Sequence, residues 1–184
     1  MEKLKTDLAA YNNSWYRPGP AFKRACWYLV SAVFFKTSFF PVSSFKVLLL
    51  RLFGAKVGKG VIIKPCVIIK YPWFLRLGDN SWIGENAWID NLGMIFIGNN
   101  VCLSQGSMLL SGNHDYTQPT FDLAVKEIVL EDGVWIGAKS IVCGGVVCKD
   151  HSVLAAGSVA NKNMEPYSIY QGNPAIKKRE REMS

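Results

Sequence analysis

The residue best suited to move a proton near neutral pH is His114, in the run Ser111-Gly112-Asn113-His114-Asp115-Tyr116. A neutral imidazole there can serve as a general base. Asn113 and Asp115 flank it and either orient the ring or shape the turn, and both roles fit residues of these types. His151, the second of two histidines, sits in Cys148-Lys149-Asp150-His151-Ser152-Val153 and reads as a surface corner. Two histidines cannot make a three-histidine zinc site, so a carbonic anhydrase is excluded. The five cysteines, at positions 26, 66, 102, 143 and 148, are odd in number and form no C-x-x-C pair. They suggest neither a disulfide framework nor a structural zinc, and fit a reducing cytoplasm.

What must hold His114 is a repeat. Aliphatic residues return every six positions at Ile97, Leu103 and Leu109, and again at Leu130, Ile136, Val142, Cys148, Leu154 and Ala160. The beat is already present in Val57-Gly58-Lys59-Gly60-Val61-Ile62 and in Leu77-Gly78-Asp79-Asn80-Ser81-Trp82. The first residue of each unit is bulky, the second often Gly, and the fifth small. Residues one and five of a short strand point to the same side, so a large and a small side chain fill a narrow interior while Gly and Asn turn the corners. Self-similarity at this period is the signature of a hexapeptide β-helix. From Leu109 to Leu130 is twenty-one residues, three beats and three extra, so a loop carrying His114 is pushed out of the repeat.

The chain divides into an N-terminal arm and helical cap (1–55), a β-helix (56–165) with its loop at 110–129, and a basic C-terminal tail (166–184). Residues 1–20 read as an irregular arm. Helices are expected from about Ala21 to Ser38 and from Ser43 to Phe53. The apolar run from Ala25 to Phe35 is eleven residues, too short to span a bilayer. No signal peptide is evident at the N-terminus. Aromatic residues from Trp27 to Phe40, bracketed by Lys23, Arg24, Lys36 and Lys46, suit either a cap on the open end of the β-helix or a helix lying in a lipid interface. The formal net charge of +7 favours anionic partners without choosing among them. A nucleic-acid role has only the basic tail behind it, without an aromatic platform.

The repeat, the extruded loop and the ending Tyr167-Ser168-Ile169-Tyr170-Gln171-Gly172-Asn173-Pro174-Ala175 resemble the hexapeptide-repeat acetyltransferases. Arg51-Leu52-Phe53-Gly54-Ala55, Tyr71-Pro72-Trp73, Asn99 to Gly106 and Gly112 to Tyr116 are similar to its WcaF-like branch, associated with colanic acid and other exopolysaccharide synthesis. The resemblance implies an all-β, left-handed parallel β-helix, a homotrimer, and a cleft between subunits where acetyl-CoA meets a sugar or lipid-linked saccharide. It implies that His114 is the catalytic base, deprotonating a sugar hydroxyl for attack on a thioester. The galactoside and maltose enzymes carry an acceptor-side Asn where this chain has Gly84, which leaves Glu85, Asn86 and Asp90 as nearby acceptor candidates beside Asn113 and Asp115.

On the cofactor side the resemblance assigns Trp135, Gly137 and Ala138 to the pantetheine arm, with Ala156 and Asn161 as further contacts. A family Arg falls on Ile176, so Lys177, Lys178 and Arg179 are expected to meet the nucleotide phosphates. No metal is implied. The rival reading is a non-catalytic β-helix scaffold or membrane-associated binding module, which would tolerate the same rungs but would not need the loop histidine.

Overall fold

The computed structural model describes residues 4–183. From Lys56 onward the chain winds through three sheets that form the faces of a triangular prism. The first face stacks Lys56–Val57, Leu75–Leu77, Ile95–Ile97, Ile128–Leu130 and Val147–Cys148. The second contains Ile62–Ile63, Trp82–Ile83, Cys102–Leu103, Trp135–Ile136 and Val153–Leu154, and the third Ile68–Ile69, Trp88–Asp90, Met108–Leu110, Ile141–Cys143 and Val159–Ala160. All pairings among these strands are parallel. The fold is the left-handed parallel β-helix expected from the repeat.

The corners explain the beat. Backbone φ is positive at Asn80 and Asn86, at Asn100 and Gly106, and then at Gly133, Lys139, Gly145, His151 and Gly157, six residues apart within each uninterrupted stretch. Gly and Asn enter that region at least cost. Inside, Ile83, Ile89, Leu103, Leu109, Leu130, Ile136, Val142, Cys148, Leu154 and Ala160 are each at most 1% exposed. The fifth-position serines share this interior and need partners there: Ser81 Oγ donates to the Gly98 carbonyl at 2.8 Å, and Ser140 Oγ to that of Ala155 at 2.8 Å.

Every interruption of the beat falls at one corner, between the third face and the first. Ile69 to Leu77 and Ile89 to Ile97 take eight residues each, Leu109 to Leu130 takes twenty-one, and Val142 to Cys148 takes six. The loop therefore adds fifteen residues to a single beat. The expectation of three beats and three extra is corrected, because Leu109 and Leu130 lie on adjacent faces.

Helix α1 (Ala21–Phe34) stops four residues before the expected Ser38, since the amides of Phe35 and Lys36 both turn back to the Ser31 carbonyl, at 3.0 and 2.9 Å. Helix α2 (Ser43–Leu52) closes the first coil: Ser43 Oγ and Lys46 Nζ donate to the carbonyls of Ile63 and Lys64, at 3.1 and 2.9 Å. Trp27 Nε1 donates to the Ile69 carbonyl at 2.8 Å, and its ring packs on Phe35 and Phe53. The cap is thus bonded to strand ends that water would otherwise meet. No helix among the described residues is long and apolar enough to cross a membrane.

The described part of the C-terminal segment, residues 166–183, is more ordered than a basic tail. Ser168–Gly172 and Ala175–Glu180 form an antiparallel hairpin whose first strand joins the second face through Val153 and Ile169. Arg181 Nη1 then donates to the carbonyls of Gly133 and His151, at 3.1 and 3.0 Å, tying the chain end to the last corners.

Cys148, fully buried in the interior, has its thiol pushed by burial up to about 12 from an ordinary 9.0. A raised folded pKa means that the unfolded chain loses this proton first. Stability from this group is intact below pH 9 and falls as pH rises toward 12. Denaturant titrations of wild type and Cys148→Val between pH 8 and pH 10.5 (about the range where the reference thiol ionises) should show a steeper alkaline loss for wild type.

Candidate active site

The extruded loop is a hairpin. Gly112–His114 pairs antiparallel with Leu123–Val125, and the Lys126 amide closes its base on the Ser111 carbonyl at 2.9 Å. The Ser111 hydroxyl donates to the Asp90 carbonyl at 2.9 Å and accepts from the Gly93 amide at 2.9 Å, locking the loop to the coil below. This fixed stem holds His114 out from the prism.

His114 is half-buried, and its ring stacks on Phe121 with centroids 4.4 Å apart and planes 9° from parallel. Nδ1 lies 2.9 Å from the Phe121 carbonyl oxygen. A carbonyl only accepts, so Nδ1 carries the hydrogen and Nε2 keeps its lone pair. Tyr11 contributes a third ring at 5.8 Å, brought there because the arm runs up the corner with its Asp7 amide on the Pro119 carbonyl at 2.8 Å. Neither neighbour follows from the sequence pattern. Phe121 sits at φ +53° in an aperiodic loop, and Tyr11 is more than one hundred positions away.

A cleft of about 480 Å³ opens at His114, lined also by Ser111, Gly112, Asn113, Asp115, Ala124, Lys126, Cys143 and Gly144. Asn113 Oδ1 accepts from the His114 amide at 2.8 Å. Asp115 Oδ1 accepts from the amide and hydroxyl of Thr117, at 3.0 and 2.5 Å, and those bonds, the hydroxyl's first, hold its carboxyl below the usual range. Both side chains are thus spent on the turn rather than on the imidazole. Burial raises the Cys143 thiol, so at neutral pH it stays protonated and is a poor nucleophile.

The remaining expected site residues fall elsewhere within one chain. Asp90 lies one coil below, its Cα opposite Leu110, and forms an ion pair with Lys70 at 3.1 Å. Glu85 and Asn86 sit at the corner between the second and third faces, away from the loop's corner, with Glu85 in a groove beside Trp82, Ser104 and Gln105. Gly84 has no room for the family's Asn, since a Cβ there would stand 2.7 Å from the Gln105 amide nitrogen and 2.8 Å from the Leu103 carbonyl.

Further up the same corner, Ala138 is half-exposed and Ala156 exposed on successive coils, while Trp135 Nε1 donates to Ser104 Oγ at 2.9 Å. Gly137 serves the stacking itself, because a Cβ would lie 2.6 Å from the Ala156 nitrogen. Asn161 is exposed just past Val159–Ala160, the last strand of the third face. On the terminal hairpin Lys177 is held by Glu180 at 2.6 Å, and that hydrogen bond raises its pKa. Lys178 is the unpaired residue of a bulge and Arg179 stands opposite Ile169. Neither has a carboxylate within ion-pair distance among the described residues.

The left-handed β-helix of six-residue repeats is the fold of the hexapeptide-repeat acetyltransferases. Solved structures share this fold. A hexapeptide-repeat acetyltransferase of Vibrio cholerae in complex with acetyl-CoA superposes with a TM-score of 0.79 over 88% of each chain at 24% identity. A galactoside acetyltransferase in complex with coenzyme A gives 0.77 over 88% of this chain and 82% of that one at 23% identity. At these identities the likeness speaks for the fold. WcaF of Escherichia coli K12, provisionally assigned as a colanic acid biosynthesis acetyltransferase, is 39% identical over 166 residues, covering 90% of this chain and 91% of its own. No family profile matches the chain. The chain therefore belongs to the hexapeptide-repeat acetyltransferases, in the family of WcaF.

Proposed function

We propose that the protein transfers an acetyl group from acetyl-CoA to a sugar hydroxyl in exopolysaccharide or cell-surface glycan synthesis, with His114 as the base. The observation that carries this reading is the 2.9 Å contact between His114 Nδ1 and the Phe121 carbonyl, which leaves Nε2 free to accept a proton. Acetyl-CoA supplies a thioester whose carbonyl carbon receives the attack. His114 Nε2 takes the hydroxyl proton as the acceptor oxygen bonds to the acyl carbon and the C–S bond breaks. The imidazolium then returns the proton to the departing sulfur.

The second-to-third corner fits the pantetheine arm, because Ala138 and Ala156 present nothing larger than a methyl along successive coils, and Lys178 and Arg179, on the hairpin strand that extends the second face, offer charge for phosphates. That corner and the His114 loop lie on different edges of one prism. A cyclic trimer, in which the loop of one subunit faces the corner of its neighbour, would complete the site and bring Glu85 and Asn86 toward the acceptor. The purified protein should scatter light as three times the 20.5 kDa chain and release free thiol from acetyl-CoA with a glycan acceptor. A fully active monomer, or no thiol release across a broad glycan panel, would overturn the reading.

Peripheral membrane attachment at the inner face belongs to the same proposal. Phe22, Leu29, Val33 and Phe39 are 81, 65, 58 and 93% exposed on the cap, and such side chains flanked by cations suit the lipid interface. Wild type should float with anionic liposomes at low salt and a variant with these residues changed to Ser should not.

A further inference from the structure

A second cavity lies one coil below the His114 cleft. It encloses about 530 Å³ between α1 and the third face. Its charged lining is Arg24 and Lys36 from the cap with Lys70 and Asp90 from the coils. Asp90 is the one acid of the four and is already matched by Lys70 at 3.1 Å. Arg24 and Lys36 have no carboxylate within ion-pair distance among the described residues, and the Lys36 ammonium rests 5.3 Å from the Tyr28 ring centroid. Two cations are thus left over at one cavity.

A buried hydroxyl adds an independent sign. Ser31 lines the same cavity, is 2% exposed, and its Oγ has no hydrogen-bond partner in the protein. Such a donor is costly to leave unpaired, and a ligand oxygen would satisfy it.

Position relates this cavity to the chemistry. Asp90 lines it, and its Cα partner Leu110 lines the His114 cleft, so the two are a single strand spacing apart, about 4.8 Å. We infer that this cavity takes the phosphate group of a glycosyl phosphate acceptor whose sugar hydroxyl lies at His114. Arg24 and Lys36 neutralise the phosphate, the Ser31 hydroxyl donates to one of its oxygens, and Trp88 supplies an apolar wall. The inference rests on the acetyl-transfer reading for the sugar, but the anion site stands on its own residues.

A prenyl-linked saccharide and a sugar nucleotide both present such a phosphate, as part of a diphosphate, and the test separates the two sources. Inorganic pyrophosphate is titrated calorimetrically into the full-length wild type, into His114→Ala, and into the Arg24→Gln/Lys36→Gln double variant. Wild type and His114→Ala should bind alike, and the double variant at least ~10-fold more weakly, the loss of about one charge-assisted contact. Ser31→Ala, which keeps both cations and the helix, should weaken binding by a smaller factor. Displacement of pyrophosphate by a short-chain prenyl diphosphoglucose or by uridine diphosphoglucose supports the inference and identifies the source. No binding to wild type, equal binding to a folded double variant, or pyrophosphate that neither glycosyl diphosphate displaces would overturn it. Because binding is read without turnover, inactive protein that still binds pyrophosphate through Arg24 and Lys36 refutes the acetyl-transfer reading and leaves the anion site.

Discussion

Replacing His114 with Ala is expected to lower kcat for acetyl transfer by about 100-fold or more, the range that removing a general base produces. The fold should survive. The side chain lies on a hairpin outside the prism, stacked on Phe121 with Tyr11 nearby. Thermal unfolding should therefore stay within a few degrees of wild type while thiol release collapses. Turnover close to wild type in the folded variant would remove the base assignment. Asp115→Asn should behave differently, because its carboxylate braces Thr117 rather than the imidazole, and a reduction of ~10-fold or less is expected from a loosened turn.

Loss of acetyl-CoA binding is the expected result of Ala138→Trp, an effect of ~100-fold or more in affinity if an indole fills the space the arm needs. The informative comparison is its neighbour. Gly137 is buried against the next coil, where an added Cβ would stand 2.6 Å from the Ala156 nitrogen and 2.7 Å from the Leu154 carbonyl. Gly137→Ala should accordingly act on stability, costing about 1–3 kcal/mol as overpacking does, with binding impaired only as far as the coil shifts. Ala138→Trp, half-exposed at the corner, should leave unfolding unchanged. If Ala138→Trp binds acetyl-CoA as wild type does, the cofactor lies elsewhere.

The six-residue beat determined the prism by itself. An aliphatic residue at each first position, a small one at each fifth, and Gly or Asn where φ turns positive satisfy interior volume and corner geometry locally, so each coil can be read without its neighbours. The extruded loop and its histidine were legible for the same reason, as a break in a regular count. The length of that break was not. Counting from Leu109 to Leu130 cannot tell which faces the two residues occupy, and only the pairing of Met108–Leu110 with Ile141–Cys143 and of Ile95–Ile97 with Ile128–Leu130 shows that fifteen residues are displaced at one corner.

What the tertiary structure alone decided is the company His114 keeps. The Phe121 carbonyl reaches Nδ1 because the loop closes as an antiparallel hairpin, and Tyr11 arrives because Asp7, Tyr16 and Pro18 bind along the corner that the short inserts built. These contacts join segments with no common period, so no pattern in the sequence records them. The dispersal of Glu85, Asn86 and Asp90 over two corners is likewise invisible along the chain, where they lie within six positions of one another. On a prism whose faces change every six residues, nearness in sequence carries a side chain to a different edge.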